Sequence, residues 1–302
     1  MQNQSQPLKA AIWMFGAIIA FSLMAIAGRE VGQHLDTFEI MFYRSIIGMI
    51  IVVSVAKYVG TLNQVNTRNF GLHAIRNISH FAGQNLWFFA LTTVPLSQLF
   101  AFEFSTPLWV AILAPFFLAE KLTRMRAFCA ALGFIGILIV ARPDTTTISP
   151  HIIAAALCAV GFAGAAITTK LLTRTQTITC ILFWLTAMQA IFGLITAGYD
   201  GDIHVPNLIQ SFWVVIIGLC GLAAHFCITK ALSMAPAIIV TPFDFLRLPL
   251  ISIVAYFLYQ EVLEWPVMVG AVIVFAANLL NLRNEMRLKK AAETAQAKFL
   301  QY

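Results

Sequence analysis

Two short segments place charged side chains inside strongly apolar sequence. Residues 242–249 read PFDFLRLP and residues 101–108 read AFEFSTPL. If such segments cross a membrane, each charge costs about 2.5–3.5 kcal/mol on insertion scales, so each needs a partner or a function. Glu103, Asp244 and Arg247 are therefore candidates for binding a solute or a coupling proton. Structural neutralisation stays open, because Asp244 and Arg247 are three residues apart and can pair on one helical face.

Four further polar residues lie within other apolar segments. His80 and Gln84 are four residues apart and face together on a helix, while Arg44 and His225 lie in two other segments. We predict that all four face the same solute or proton pathway. Hydrogen-bonded packing is the alternative for the histidines, and a fold anchor is the alternative for Arg44. Arg44 is also a candidate partner for Glu103, which has no basic residue on its own helix face.

Aromatic residues flank the two acidic positions and suggest a stacking surface for a planar ligand. Ordinary contact with lipid or core is the alternative for each of them. Prolines cluster beside the same segments, and since a proline kinks a helix and frees carbonyl groups, we expect both helices to line a cavity. The aromatic candidates are Phe100, Phe102, Phe104, Trp109, Phe243 and Phe245.

The composition is that of an integral membrane protein. Hydrophobic residues make up 60% and charged residues 11% of the 302 residues, whereas soluble domains have about half and a quarter. The five cysteines form no pair that suggests a disulfide or a metal site, and we expect no cofactor. The predicted fold class is all-α, with ten segments near the length of about 20 residues that crosses a bilayer. These segments are 10–28, 38–56, 72–92, 96–118, 125–141, 151–171, 178–197, 209–231, 237–259 and 265–282.

Lysine and arginine residues concentrate on one side of the predicted helices. With the N-terminus inside, the inner segments hold 15 of the 19 basic residues. The positive-inside rule then places both termini in the cytoplasm and the chain in the inner (plasma) membrane. The same distribution explains the net charge of +6 without a nucleic-acid partner.

The chain also repeats itself at a constant offset of 141 residues. Since each half holds five predicted helices, an odd number, the second half must enter the membrane from the opposite face. Inverted repeats of this kind are typical of secondary transporters, which bind solutes near the bilayer midplane. The predicted units are a first repeat at 10–141, a second at 151–282 and a polar cytoplasmic tail at 283–302. The aligned pairs include Phe21 with Phe162, Arg29 with Lys170, Pro95 with Pro236, residues 102–104 with 243–245, and Glu120 with Glu261.

Several motifs resemble the EamA type of the drug/metabolite transporter superfamily over residues 10–282. They are FYRSIIG at 42–48 and STPLWVAILAPFFLAEKLTRMRAFCAALGFIGILIVARP at 105–143. The resemblance implies a ten-helix bundle around a central cavity that moves small organic solutes. The second half departs from the pattern, since Leu248 stands in the place of Pro107 and Pro249 follows one residue later.

We therefore expect a secondary transporter of a small organic metabolite that works by alternating access, not an enzyme. The sequence has no Walker, GxSxG or HExxH motif. Resemblance within the family favours a planar aromatic solute such as riboflavin, with export of an aromatic amino acid or a drug as the alternative. A non-transporting assembly or sensor protein is the alternative from another class. The direction of transport, a coupling proton and a homodimer are left open.

Overall fold

The computed structural model describes residues 7–118, 123–141, 149–172, 174–199, 201–234, 243, 246–262 and 264–299. This part of the chain is helical, with a short 3₁₀ turn at Leu62–Gln64, which confirms the predicted all-α class. The helices are α1 (Pro7–Val31), α2 (Thr37–Val59), α3 (Phe70–Leu91), α4 (Leu96–Glu103), α5 (Thr106–Leu118), α6 (Arg124–Ala141), α7 (Pro150–Leu172), α8 (Ile178–Ala197), α9 (Leu208–Met234), α10 (Arg247–Tyr259) and α11 (Trp265–Phe299).

Eight stretches within the described residues are long and apolar enough to cross a membrane. Two of the ten predicted spans are not among them. The span at 237–259 is described mainly through α10, which has 13 residues. The span at 72–92 is α3, one face of which carries polar residues four apart, such as Arg76, His80 and Gln84, and this lowers its hydropathy.

The helix bounds repeat at the offset that the sequence predicts. Adding 141 to the bounds of α5 gives 247 and 259, which are the bounds of α10. The same shift carries the first residue of α2 onto that of α8, and the first residue of α6 onto that of α11. The duplicated five-helix architecture is therefore confirmed. The predicted boundaries of the repeats stay predictions.

The two halves pack on each other throughout the bundle. The main cross-half pairs are α1 with α9, α3 with α7, α2 with α8, and α6 with α11. Exchanging the halves turns the first pair into the second and returns the other two to themselves. This is the pattern of two repeats related by a two-fold axis. With α4 and α5 counted as one interrupted span, each half has five spans, an odd number, and the repeats have inverted topology.

Close approach of small residues holds two of these interfaces together. An ideal Cβ on Gly161 of α7 would lie 2.6 Å from the Cα of Gly83 in α3. One on Gly270 of α11 would lie 2.6 Å from the carbonyl oxygen of Gly136 in α6. Membrane helices associate through such packing, because lipid supplies no hydrophobic force between them.

The predicted helix at 96–118 is not continuous, which corrects the sequence prediction. α4 ends at Glu103, a turn follows, and α5 begins at Thr106. The cause is Pro107, which has no N–H and whose ring collides with the carbonyl four residues earlier, that of Glu103. The Thr106 hydroxyl donates to this freed carbonyl at 2.6 Å. The break therefore leaves the Glu103 side chain at a helix end inside the bundle.

The predicted polar tail begins as a continuation of a membrane helix. α11 starts at Trp265 and runs without interruption to Phe299. Its apolar first part packs on α6. The cytoplasmic location of the tail stays a prediction.

Candidate functional site

Glu103 and Arg247 form an ion pair inside the bundle. Nη2 of Arg247 donates to Oε1 of Glu103 at 2.8 Å, and the indole N–H of Trp87 donates to Oε2 of Glu103 at 2.9 Å. The pair joins the two halves at their helix ends, because α4 finishes with Glu103 and α10 begins with Arg247. Helices interrupted near the midplane form the solute sites of many secondary transporters.

Aromatic rings enclose the guanidinium of this pair. The Cζ atom of Arg247 lies 4.7 Å from the ring centre of Phe21, 4.9 Å from that of Phe100 and 5.1 Å from that of Phe104. Each such contact attracts a cation by about 0.5–2 kcal/mol, more where water is excluded. Arg247 is 3% exposed. The rings therefore help to hold a buried charge that the bilayer interior would otherwise disfavour.

The structure corrects one predicted partner of these charges. Arg44, a candidate partner for Glu103, instead lies with its Nη1 3.7 Å from the sulfur of Met41. Asp244 lies outside the described residues, so its expected pairing with Arg247 stays a prediction. Sequence spacing favoured that local pair, whereas the pair observed joins residues 144 positions apart.

The predicted aromatic lining also needs correction. Phe102 is fully buried among core residues, and Trp109 packs edge-on against Phe134 of α6, with ring centres 4.9 Å apart. Phe243 packs against a separate small cluster of α1 and α9. Phe245 lies outside the described residues. Of the predicted rings, Phe100 and Phe104 do lie together beside Arg247, with ring centres 6.3 Å apart. Trp109 and Phe243 pack elsewhere.

A second polar group collects around His80. Nδ1 of His80 lies 2.6 Å from Nε2 of Gln189 in α8, at hydrogen-bonding distance. One turn earlier on α3, Arg76 donates to the hydroxyl of Thr169 in α7 and to the side-chain oxygen of Asn77, both at 2.8 Å. The buried side chains of Arg76 and His80 thus point to one region between α3, α7 and α8.

Arg44 and His225 approach the same region from α2 and α9. The Arg44 guanidinium lies over Gly221, where an ideal Cβ would be 3.4 Å from Nη2. His225 follows one turn later on α9, and its ring meets Phe21 edge-on at 5.8 Å. The charges of Arg44 and Arg76 act on His225. The His225 side chain is exposed.

The structure brings most of the predicted pathway residues into two neighbouring groups. Glu103 and Arg247 form one, and Arg44, His80 and His225 form the other. Phe21 contacts both, through Arg247 and through His225. The remaining predicted residue, Gln84, is buried one turn after His80 on α3.

Sequence reasoning missed several members of these groups. Arg76 is one of the 15 basic residues assigned to the inner segments, but its four-residue spacing from His80 places both on one helical face. Phe21 and Phe162 were noted only as a repeat match, yet they contact His225 and His80 respectively. Trp87 carried no signal, because an indole in an apolar helix is ordinary.

A third polar network joins the halves where α1 and α3 end. Arg29 pairs with Glu261 and donates to the carbonyl oxygens of Leu91, at 2.8 Å, and of Val94. The second carboxylate oxygen of Glu261 accepts the Leu96 N–H at 2.8 Å. One carboxylate therefore ties the segment after α10 to both α1 and the start of α4.

The fold and these interior charges define a membrane transporter of small molecules. The chain belongs to the EamA-like transporter family, whose profile matches residues 8–142 and 149–283, once in each half. This confirms the resemblance seen in the sequence, and with it the expectation of a transporter and not an enzyme.

Characterised relatives are similar over nearly the whole chain. An S-adenosylmethionine uptake transporter of Rickettsia felis is 27% identical over 284 residues, which is 94% of this chain and 96% of the relative. A riboflavin transporter of Brucella anthropi is 30% identical over 289 residues, which is 92% of this chain and 100% of the relative. A crystal structure with 16% identity and a TM-score of 0.63 covers 92% of this chain and 98% of its own, and is similar in fold.

Proposed function

We propose that this protein carries a flat heteroaromatic metabolite into the cell by alternating access. The observation that carries the proposal is the Glu103–Arg247 pair, which joins the helix ends of both halves inside the bundle. A charged pair in the bilayer interior is costly and marks a solute or ion pathway by default. Inverted repeats bind their solutes where the halves meet.

The relatives suggest two solutes with related chemistry. Riboflavin and S-adenosylmethionine, named for the relatives in Brucella and Rickettsia, both contain a fused heteroaromatic ring. Phe21 and Phe162, which are equivalent in the two repeats, offer partly buried ring faces beside the interior polar groups. We favour riboflavin and S-adenosylmethionine as substrates over an exported aromatic amino acid or drug, since both characterised kinds of relative are named for a heteroaromatic solute.

The network at Arg29 supplies a way to close one end of the pathway. In the first repeat Arg29 pairs with Glu261 from the second. Their sequence equivalents are Lys170 and Glu120, on the opposite side of an inverted repeat. We infer that the two pairs close alternate ends, the Arg29–Glu261 pair sealing the external side. This assignment rests on the cytoplasmic N-terminus that the positive-inside rule predicts.

Uptake into proteoliposomes tests the proposal directly. Labelled riboflavin, S-adenosylmethionine and tryptophan are supplied in turn, with and without a pH gradient, and protein-free liposomes serve as the control. We expect saturable uptake of riboflavin or S-adenosylmethionine and none of tryptophan. Saturable flux of tryptophan alone would favour the export alternative, and no flux of any solute would favour a non-transporting protein. Dependence on the pH gradient would identify the coupling ion as a proton.

A further inference from the structure

Two arginines in the interior have only neutral partners within the described residues. Arg44 is near the sulfur of Met41, at 3.7 Å, and Arg76 donates to the neutral side chains of Thr169 and Asn77. These contacts orient the guanidinium groups, but they do not neutralise them. Removing an uncompensated ion from water costs several kcal/mol. A negative charge placed beside these arginines would therefore be strongly favoured.

The Glu103 carboxylate already has partners of its own. Both oxygens of Glu103 accept hydrogen bonds, one from Arg247 and the other from Trp87. Glu103 thus serves the neighbouring ion pair and not Arg44 or Arg76. Within the described residues neither Arg44 nor Arg76 has a carboxylate partner, so the anionic group of a bound solute could compensate their charges.

The arginines are not sealed off from their surroundings. An ideal Cβ on Gly221 would lie 3.4 Å from Nη2 of Arg44 and 3.6 Å from the sulfur of Met24, so the missing side chain makes room for the guanidinium itself. Arg44 is half-buried and His225, one turn further along α9, is exposed. His80 and His225 both feel the charges of the two arginines. Arg44, Arg76, His80 and His225 therefore form one positively charged cluster, and part of that cluster is exposed.

We propose that Arg44 and Arg76 form a subsite for an anionic group, a carboxylate or a phosphate, on a planar aromatic solute. The planar guanidinium matches both groups with two parallel hydrogen bonds. Phe21 and Phe162 lie beside the two histidines and supply ring faces for the rest of the solute. The inference rests on the proposed transport function and favours one of its two solutes, because S-adenosylmethionine has a carboxylate whereas riboflavin has neither a carboxylate nor a phosphate.

Binding of two matched probes to the purified full-length protein tests the subsite. Benzoate and benzamide have the same ring, but only benzoate is charged, and phenyl phosphate distinguishes phosphate from carboxylate. We expect calorimetry to show the wild type binding an anionic probe about tenfold more tightly than benzamide, the selectivity of a charge-assisted pair. Arg44→Gln and Arg76→Gln should remove this preference without weakening benzamide binding.

Charge-retaining variants and a remote arginine provide the controls. Arg44→Lys and Arg76→Lys should keep most of the preference, and so should Arg174→Gln, since Arg174 is exposed in the loop between α7 and α8. If Arg76→Gln does not fold, the comparison of Arg44→Gln with Arg44→Lys alone tests the subsite. Equal loss of benzoate and benzamide binding would show a purely structural role and overturn the subsite. So would an anion preference that survives both glutamine variants.

The outcome is separable from that of the transport proposal. Solute flux in proteoliposomes without any anion preference would overturn the subsite and leave transport intact. An anion preference that depends on Arg44 and Arg76, in a protein that carries no solute, would support the subsite as a binding site and overturn transport.

Discussion

Among individual residues, Glu103 links the two halves of the chain inside the bundle. Its two oxygens accept from Arg247 on α10 and Trp87 on α3, so three helices meet at one carboxylate. The sequence predicted Glu103 and Arg247 as functional candidates because a charge in an apolar helix is costly. It did not predict their pairing, because no local pattern relates residues 144 positions apart.

The hydrogen bond from Trp87 can be tested against a second tryptophan. Trp87→Phe removes the N–H donor to Glu103, and a hydrogen bond to a charged group contributes about 1.5–3 kcal/mol. Trp109→Phe is the matched control, since its buried indole nitrogen has no hydrogen-bond partner among the described residues. We expect thermal unfolding in detergent to show a clear loss of stability for Trp87→Phe only. Equal losses in both variants would contradict the assigned bond.

The ion pair between Glu103 and Arg247 can be tested by combining two substitutions. Arg247→Leu leaves the Glu103 carboxylate without its guanidinium, and breaking a buried pair costs about 3–5 kcal/mol. Adding Glu103→Gln removes the stranded charge, so the double variant should regain much of the folded yield. It should not regain transport. Fluorescence size-exclusion chromatography measures the yield, and a double variant no better folded than Arg247→Leu would argue against the pairing.

At the scale of helices, hydropathy predicted the membrane-spanning segments but neither the break between α4 and α5 nor the contacts between helices. The length of the apolar runs predicted the membrane-spanning segments. It also predicted one helix in place of α4 and α5, because the apolar run continues across the break at Phe104 and Ser105. Pro107 was the local signal for that break. Hydropathy also could not show which helices touch. The pairing of α3 with α7 depends on Gly83 and Gly161, whose fit appears only when the backbones meet.

Two glycine substitutions test that interface. Gly161→Ala places a methyl group 2.6 Å from the Cα of Gly83, and overpacking of this kind costs about 1–3 kcal/mol. Gly71 on α3 has open space around its Cα, so Gly71→Ala should be neutral or stabilising by up to about 1 kcal/mol through helix propensity. The midpoint of thermal unfolding is the readout. An unchanged midpoint in Gly161→Ala would show that α3 and α7 are not in close contact.

The whole molecule follows from its duplication. The offset of 141 residues in the sequence reappears in the bounds of α5 and α10. The repeat could be read from sequence because paired acids and prolines keep their spacing. The conformation could not be predicted from sequence, because the contacts of Arg29 and Arg247 across the two halves depend on how the repeats are arranged around their two-fold axis.

Equivalent positions in the two repeats should lie at opposite membrane faces. Arg124 and Trp265 are related by the 141-residue offset and are both exposed at the start of a helix. In a background with the five cysteines replaced, Arg124→Cys should be protected from a membrane-impermeant maleimide added to intact cells, while Trp265→Cys should react. This follows from a cytoplasmic N-terminus. Labelling of both from the same side would contradict the inverted topology.

The proposed transport requires above all that the Glu103 carboxylate lies on the solute pathway. The direct measurement is solute flux in proteoliposomes, normalised to folded protein, for Glu103→Gln beside Glu264→Gln, whose carboxylate is exposed before α11. Asp244→Asn completes the set, as the repeat equivalent of Glu103. We predict that Glu103→Gln and Asp244→Asn each lose about tenfold or more in flux, while Glu264→Gln stays near wild type. Wild-type flux with unchanged pH dependence in both Glu103→Gln and Asp244→Asn would show that these acids are structural and would contradict the claim.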